Sequence, residues 1–351
     1  MKQRGKAILY AVLAAAFYAI NVPISKLLLA HVGPTTMAAL LYLGAGIGVG
    51  ILSLFSRKDR QQSEKLGKGD LPFVIGMIVL DIAAPILLMF GIGKGTSANA
   101  SLLGNFEIVA TTVIALAVFR ESVSGRLWIA IALITLASVL LSFEGTESFR
   151  FSIGSLFVLL AATCWGLENN CTRKISSKST YGIVVLKGAF SGLGSLAVAL
   201  LLGERFPQWP YAAAVLALGF VAYGLSIFLY VRSQSMLGAA KTSAYYAIAP
   251  FIGAFLSFVI LREPLSWRYA LSLIVMIAGA ALVVVDTLLR HHTHLHAHTF
   301  THTHDGTTHT HTVVHSHAHD HLVTDTRHGH RHTQEELEAL TAEEADSEHI
   351  L

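Results

Sequence analysis

Ten stretches of about twenty apolar residues follow one another along the first 290 positions. They lie near 7–28, 34–55, 71–93, 96–118, 126–143, 152–173, 181–202, 210–232, 239–261 and 266–289. A bilayer core of roughly 30 Å is crossed by about 20 residues of helix. Lipid offers no partner to an open backbone N–H or C=O, so each stretch must satisfy its own backbone as a helix. The expected fold class is therefore an all-α membrane protein of ten transmembrane helices. Composition agrees: 53% of the 351 residues are hydrophobic and 13% are charged, with a mean hydropathy of +0.58. A soluble chain carries roughly 25% charged residues. A water-soluble enzyme, a disordered chain and a collagen-like fibre are excluded. The two cysteines, Cys164 and Cys171, would stand about 10 Å apart on one helix, beyond the reach of a disulfide.

The net charge of +3 conceals a division. Residues 291–351 hold 17 of the 18 histidines and 10 acidic residues against two arginines, whereas the apolar part is basic. Its basic residues cluster in alternate loops, which sets direction. With the N-terminus inside, the inner segments hold Lys2, Arg4, Lys6, Arg57, Lys58, Arg60, Lys65, Lys68, Arg120, Arg126, Arg173, Lys174, Lys178, Arg232, Lys241 and Arg290. The outer ones hold Lys94, Arg150, Arg205, Arg262 and Arg268. Both termini are thus expected in the cytoplasm, in a multi-pass protein of the plasma (inner) membrane. Residues 1–19 begin like a signal peptide, but the apolar stretch runs on to Leu29, so a retained first helix is expected.

The chain repeats itself. Phe119-Arg120-Glu121-Ser122 and Leu261-Arg262-Glu263-Pro264 are 142 positions apart, as are Ser101 and Ser243. Ala14-Ala15-Ala16-Phe17-Tyr18-Ala19 and Ala161-Ala162-Thr163-Cys164-Trp165-Gly166 are 147 apart. Each unit has five spans, an odd number, so the second enters the membrane inverted, as in many secondary transporters. The paired Arg-Glu endings, the aromatic-small steps Tyr18-Ala19 and Trp165-Gly166, and the span count together resemble the EamA-type carriers of the drug/metabolite transporter superfamily, over about residues 5–289. The resemblance implies two five-helix repeats, 1–143 and 152–289, and export of amino acids, metabolites or drugs by proton-coupled or facilitated routes. It also implies a cavity lined by the first, third, fourth, sixth, eighth and ninth spans. Two features depart from it. Glu107-Ile108 stands where the second half has Ala249-Pro250, and the His-rich tail lies outside the pattern.

An ionised group at mid-membrane costs roughly 2.5–3.5 kcal/mol on insertion scales and needs a partner, water or a function. Asp81 and Glu107 lie about halfway along the third and fourth spans. Read as facing carboxylates, they form a proton-coupling or cation site, since two adjacent carboxylates cannot both stay charged cheaply. Glu168 and Lys187 lie at matching depth and are expected to pair. Glu168 also shares a helical face with Cys164 and Cys171, a set that suits a soft metal or plain packing. Tyr18, Asn21, Asn99, Asn105, Trp165, Asn169, Asn170, Tyr223, Tyr245 and Tyr246 complete the candidates for a cavity suited to an amphipathic organic solute. Pro23, Pro85 and Pro250 are expected to kink their helices. Lys26 and Arg173, also 147 apart, are expected to reach opposite surfaces.

The tail alternates histidine with other residues: His291, His292, His294, His296, His298, His302, His304, His309, His311, His315, His317, His319 and His321. It has too few apolar residues for a core, and disorder is expected over 291–332. Such a run can wrap Zn, Ni, Co or Cu in many alternative sets. Thr333-Gln334-Glu335-Glu336 reads as the start of a short acidic helix to about Glu344.

Three readings of function follow. The first is a carrier exporting a small organic solute, with no cofactor required and a homodimer among the expected partners. The second is a divalent-metal carrier with the tail as collector. The third is a membrane sensor whose tail reports metal or pH. No span carries a nucleophile–base set or a phosphate loop, so an enzyme is not expected, and the short basic loops do not suit nucleic acid.

Overall fold

The computed structural model describes residues 2–55, 67–119, 124–144, 150–175, 179–237, 242, 245–304 and 307–322. Helices α1 (Lys2–Ala19) and α2 (Asn21–Leu28) together make the first span, broken at Ile20. Pro23 contributes to that break, because a proline cannot donate to the carbonyl four residues back. Then come α3 (Pro34–Phe55) and α4 (Leu71–Lys94). The fourth span is split into α5 (Ser97–Leu103) and α6 (Phe106–Phe119) by Gly104 and Asn105. Helix α7 (Gly125–Leu141) ends the first half. A two-rung hairpin, β1 (Phe143–Glu144) with β2 (Arg150–Phe151), joins the halves.

The second half has α8 (Ile153–Lys174) and α9 (Thr180–Leu201). Its third span is α10 (Trp209–Gly219), one π-helical turn (Phe220–Leu225) and α11 (Ser226–Leu237). Helix α12 (Ala249–Leu261) and α13 (Trp267–Leu288) follow. Helices are found at all ten expected spans; in the ninth, expected from 239, the described helix α12 begins only at Ala249. Pro250 differs from expectation in place: it sits in the first turn of α12, where its missing N–H costs nothing, rather than inside a continuous helix. Pro85 does lie inside α4.

The halves pack on each other span by span. Helix α3 lies along α9, α4 along α8, α1 along α11, and α12 against α5. Gly279 of α13 meets Ile134 of α7. In span numbers these pairs are 2 with 7, 3 with 6, 1 with 8, 4 with 9 and 5 with 10. A two-fold relation that swaps spans 1–5 with 6–10 maps this set of pairs onto itself. The packing thus carries the repeat seen in the residues.

Small residues let these helices approach, since lipid provides no hydrophobic drive between them. A Cβ added at Gly46 of α3 would lie 2.9 Å from the carbonyl carbon of Gly188 in α9, so the two backbones touch. Leu9, Ile47, Ile51, Val79, Ile129, Phe190, Leu193, Phe255 and Ile274 point outward, forming the apolar coat that lipid requires.

The tail is a separate unit from Thr287 onward. Within it, β3 (Leu289–His304) and β4 (Thr307–Leu322) run as an antiparallel pair, with Leu289 opposite Leu322 and His304 opposite Thr307. The physical reason is the period: His-x-His alternation with Thr, Val and Ala has the two-residue repeat of a strand. The anticipated helix near 333–344 lies outside the described residues.

Candidate functional site

Broken helices place polar side chains at mid-membrane. Around the breaks in spans 1, 4 and 9 lies a cavity of about 150 Å³. Its walls include Tyr18 and Val22 of the first span, Leu88 of the third, Ser101, Asn105 and Glu107 of the fourth, Trp165 of α8, and Tyr246 and Gly253 of the ninth. Glu107, in the first turn of α6, accepts a hydrogen bond from Asn169 Nδ2 of α8 at 2.6 Å. Asn170 beside it is tied to backbone carbonyls, Gly166 O at 2.8 Å and Thr111 O at 3.3 Å. Ser101 and Asn105 are both buried, yet Ser101 Oγ and Asn105 Nδ2 find no hydrogen-bond partner among the described residues. Nearly all buried polar groups in proteins are partnered; these two exceptions stand on the wall of one cavity.

Next to the cavity runs a chain of aromatic rings. Tyr18 meets Tyr223 edge-on at 5.9 Å and Tyr246 at 6.0 Å, and Tyr223 meets Tyr42 at 5.4 Å. Asn21 donates to Tyr223 Oη at 3.2 Å and accepts from Ser25 at 3.1 Å. Tyr42 then donates to Asp81 Oδ1 at 2.9 Å. The other oxygen of Asp81 lies 3.1 Å from Lys187 Nζ, and that ammonium donates to Glu168 Oε1 at 2.8 Å. Thr172 also donates to Glu168. Two carboxylates therefore share one ammonium, and both are buried.

This arrangement answers the sequence expectations residue by residue. Tyr18, Asn105, Glu107, Trp165 and Tyr246 line the cavity; Asn21 and Tyr223 stand behind it. Glu168 and Lys187 do pair. Asp81 joins that pair instead of facing Glu107, because helix α4 packs along α8 and turns Asp81 toward α9. Tyr245 is exposed and not a wall residue, and Asn99 bonds the carbonyl of Leu141. Cys164 and Cys171 are free thiols. Outside the tail, no group of three metal-ligating side chains occurs among the described residues. Tyr42 was not anticipated, since a tyrosine in an apolar span gives no signal of its partner.

At one end of the bundle three charged side chains bond helix ends. Glu263 Oε1 and Oε2 accept the backbone N–H groups of Ser97 and Ala98 at 2.7 and 2.8 Å, at the start of α5. Glu204 accepts those of Thr35 and Thr36 at 3.0 and 2.8 Å, at the start of α3, plus the Thr36 hydroxyl at 2.7 Å. A carboxylate at a helix N-terminus meets open N–H groups and the positive end of the helix dipole. Lys26 Nζ, complementarily, donates to Ile92 O and Gly95 O at 2.6 and 2.8 Å, at the end of α4. Ser97 and Ser257 hydroxyls meet at 2.8 Å behind the Glu263 tie. The sequence marks Glu263 through the repeated Arg-Glu pair; it offers no signal for Glu204. The side chain of Arg173 lies outside the described residues.

The profile of the EamA-like transporter family matches residues 5–143 and again 152–285. The chain belongs to the EamA-like transporter family. That membership makes it a multi-pass membrane transporter and not an enzyme. Similar to it is an "Uncharacterized transporter" of Methanothermobacter thermautotrophicus (strain ATCC 29096 / DSM 1053 / JCM 10044 / NBRC 100330 / Delta H), 27% identical over 287 residues, covering 76% of this chain and 82% of that relative. One solved structure, described as "Crystal structure of protein", superposes with a TM-score of 0.59 at 17% identity. It covers 80% of this chain and 96% of that one, a likeness of fold.

Proposed function

We propose that this EamA-family member is a secondary carrier that exports a small organic solute by alternating access. The solute occupies the cavity at the breaks of spans 1, 4 and 9, where Glu107 senses charge and Ser101 and Asn105 supply hydrogen bonds. The observation that carries this reading is a mid-membrane cavity with Glu107 on its wall, beside a face whose helix ends are tied by charged side chains. Glu204, Glu263 and Lys26 hold that face closed around the cavity. In the orientation set by the basic loops, it is the outer face, and both termini lie in the cytoplasm. Release of the ties opens the cavity outward.

The test starts with thermal-shift screening of the detergent-purified chain against amino acids, nucleosides, amines and drugs. Flux of each hit is then followed in proteoliposomes. Glu107→Gln is expected to abolish flux of the hit while the protein still unfolds at its usual temperature. Full transport by a Glu107→Gln, Asp81→Asn double variant would remove the assignment.

A second reading concerns the tail alone. The strand register sets His292 opposite His319, His294 opposite His317, His296 opposite His315 and His302 opposite His309. Opposed residues in such a pair stand about 4.5–5.5 Å apart, a spacing that suits ligation of Zn, Ni, Co or Cu by histidine. The tail would then buffer or collect transition metal beside the carrier. Zinc titration by calorimetry should show binding to the full chain that is absent from a chain ending at Arg290. Equal binding by both would refute it.

A further inference from the structure

We infer that the solute taken by this cavity is an organic cation, an amine or quaternary ammonium that also carries a hydrogen-bond acceptor. The inference rests on the carrier reading and names its substrate class.

The charge of the wall comes first. Among the described residues lining the cavity, Glu107 is the one carboxylate, and there is no Lys, Arg or His. The hydrogen-bond partner that Glu107 shows is a neutral amide, Asn169 Nδ2 at 2.6 Å. The nearby ammonium of Lys187 is already held by Asp81 at 3.1 Å and Glu168 at 2.8 Å. With both carboxylates ionised those three groups sum to one negative charge, so Lys187 has none to spare for Glu107. An anionic solute would meet Glu107 with no counter-charge on the wall. A cationic solute would supply the missing one.

The rings point the same way. Tyr18, Trp165 and Tyr246 line the same cavity as Glu107. Aromatic faces attract ammonium and guanidinium groups, more strongly once water is displaced. A carboxylate among three rings is a recurrent chemistry for alkylammonium recognition. It is poor for a divalent metal ion, which requires several oxygen or imidazole ligands, and the wall has one carboxylate.

The acceptor requirement comes from the two open polar atoms. Asn105 Nδ2 can only donate, and Ser101 Oγ can donate or accept. Ser101 lies near the end of α5 and Glu107 in the first turn of α6, on opposite sides of the break at Gly104 and Asn105. A solute whose positive centre rests on Glu107 therefore finds donors for a hydroxyl, ether or carbonyl on the same wall.

The test is calorimetric binding to the detergent-purified full chain, using cations paired with uncharged carbon counterparts of the same shape. Choline is compared with dimethylbutanol and tyramine with propylphenol; phenylacetate serves as the anion. At least one cation should bind, with its uncharged counterpart on the order of tenfold to a hundredfold weaker. Glu107→Gln should erase that preference and Glu107→Asp should keep it. The inference is overturned if no cation outbinds its counterpart, if phenylacetate binds best, or if the preference survives in Glu107→Gln. Flux is scored separately. Cation binding without flux in proteoliposomes would sink the carrier reading and leave the site standing. Flux of an uncharged solute that ignores Glu107→Gln would do the reverse.

Discussion

Removing the side chain of Glu263 should open the face that it ties. In Glu263→Ala, two charge-assisted hydrogen bonds of 2.7 and 2.8 Å to Ser97 and Ala98 are lost. Bonds to a charged group contribute about 1.5–3 kcal/mol each when shielded. Glu263 is half-buried, so water replaces part of what is lost and screens the rest. The Thr96 hydroxyl still caps α5 through Asn99 N at 3.3 Å. A net cost of about 2 kcal/mol to the closed state is reasonable on this basis. That corresponds to roughly a thirty-fold shift between closed and open populations. The reporter is a cysteine placed by Ser101→Cys in a chain carrying Cys164→Ala and Cys171→Ala. Ser101 is buried, makes no hydrogen bond among the described residues and lies one turn beyond the tie. In oriented proteoliposomes, a membrane-impermeant maleimide added on the Glu263 side should label that cysteine roughly thirty times faster in Glu263→Ala, the factor expected from the shift. Glu204→Ala should act in the same direction, and the two together should exceed either. An unchanged rate in the double variant would show that the ties do not hold the face closed.

Other expectations concern the interior. Lys187→Met leaves Asp81 and Glu168 buried with no cation between them, at a cost of about 3–5 kcal/mol, read as a lower unfolding temperature in detergent; adding Asp81→Asn should recover part of the loss. Gly188→Ala drives a methyl into the backbone of Gly46 and should cost about 1–3 kcal/mol by the same measurement. Gly50→Ala meets nothing within 4 Å and should be neutral or stabilising by up to about 1 kcal/mol.

How legible the molecule is from its residues differs by level. Span number and the two-unit repeat can be read directly, because twenty apolar residues in lipid have one backbone solution. The intramembrane positions of Asp81, Glu107, Glu168 and Lys187 are equally plain, since an ionisable side chain stands out in an apolar run. Their pairing is not. Spans 3 and 4 are adjacent in the chain, which favours an Asp81–Glu107 pairing, yet Asp81 meets Tyr42 and Lys187, 39 and 106 positions away. Glu107 instead meets Asn169, 62 positions away.

The reason lies in the solvent. A helix in water shows its buried face by an apolar stripe, but a helix in lipid is apolar on every side, so its rotation about its own axis is not written in the hydropathy pattern. The chain alone determined how many helices cross, that they repeat, and which charges they carry into the bilayer. Only the packed bundle decided which faces turn inward: that Glu107 stands on a cavity wall, that Asp81 and Glu168 share one lysine, and that Glu204 and Glu263 cap helices from the other half. Those choices depend on close backbone approaches such as Gly46 to Gly188 and Gly91 to Gly154, which arise between helices far apart in the sequence.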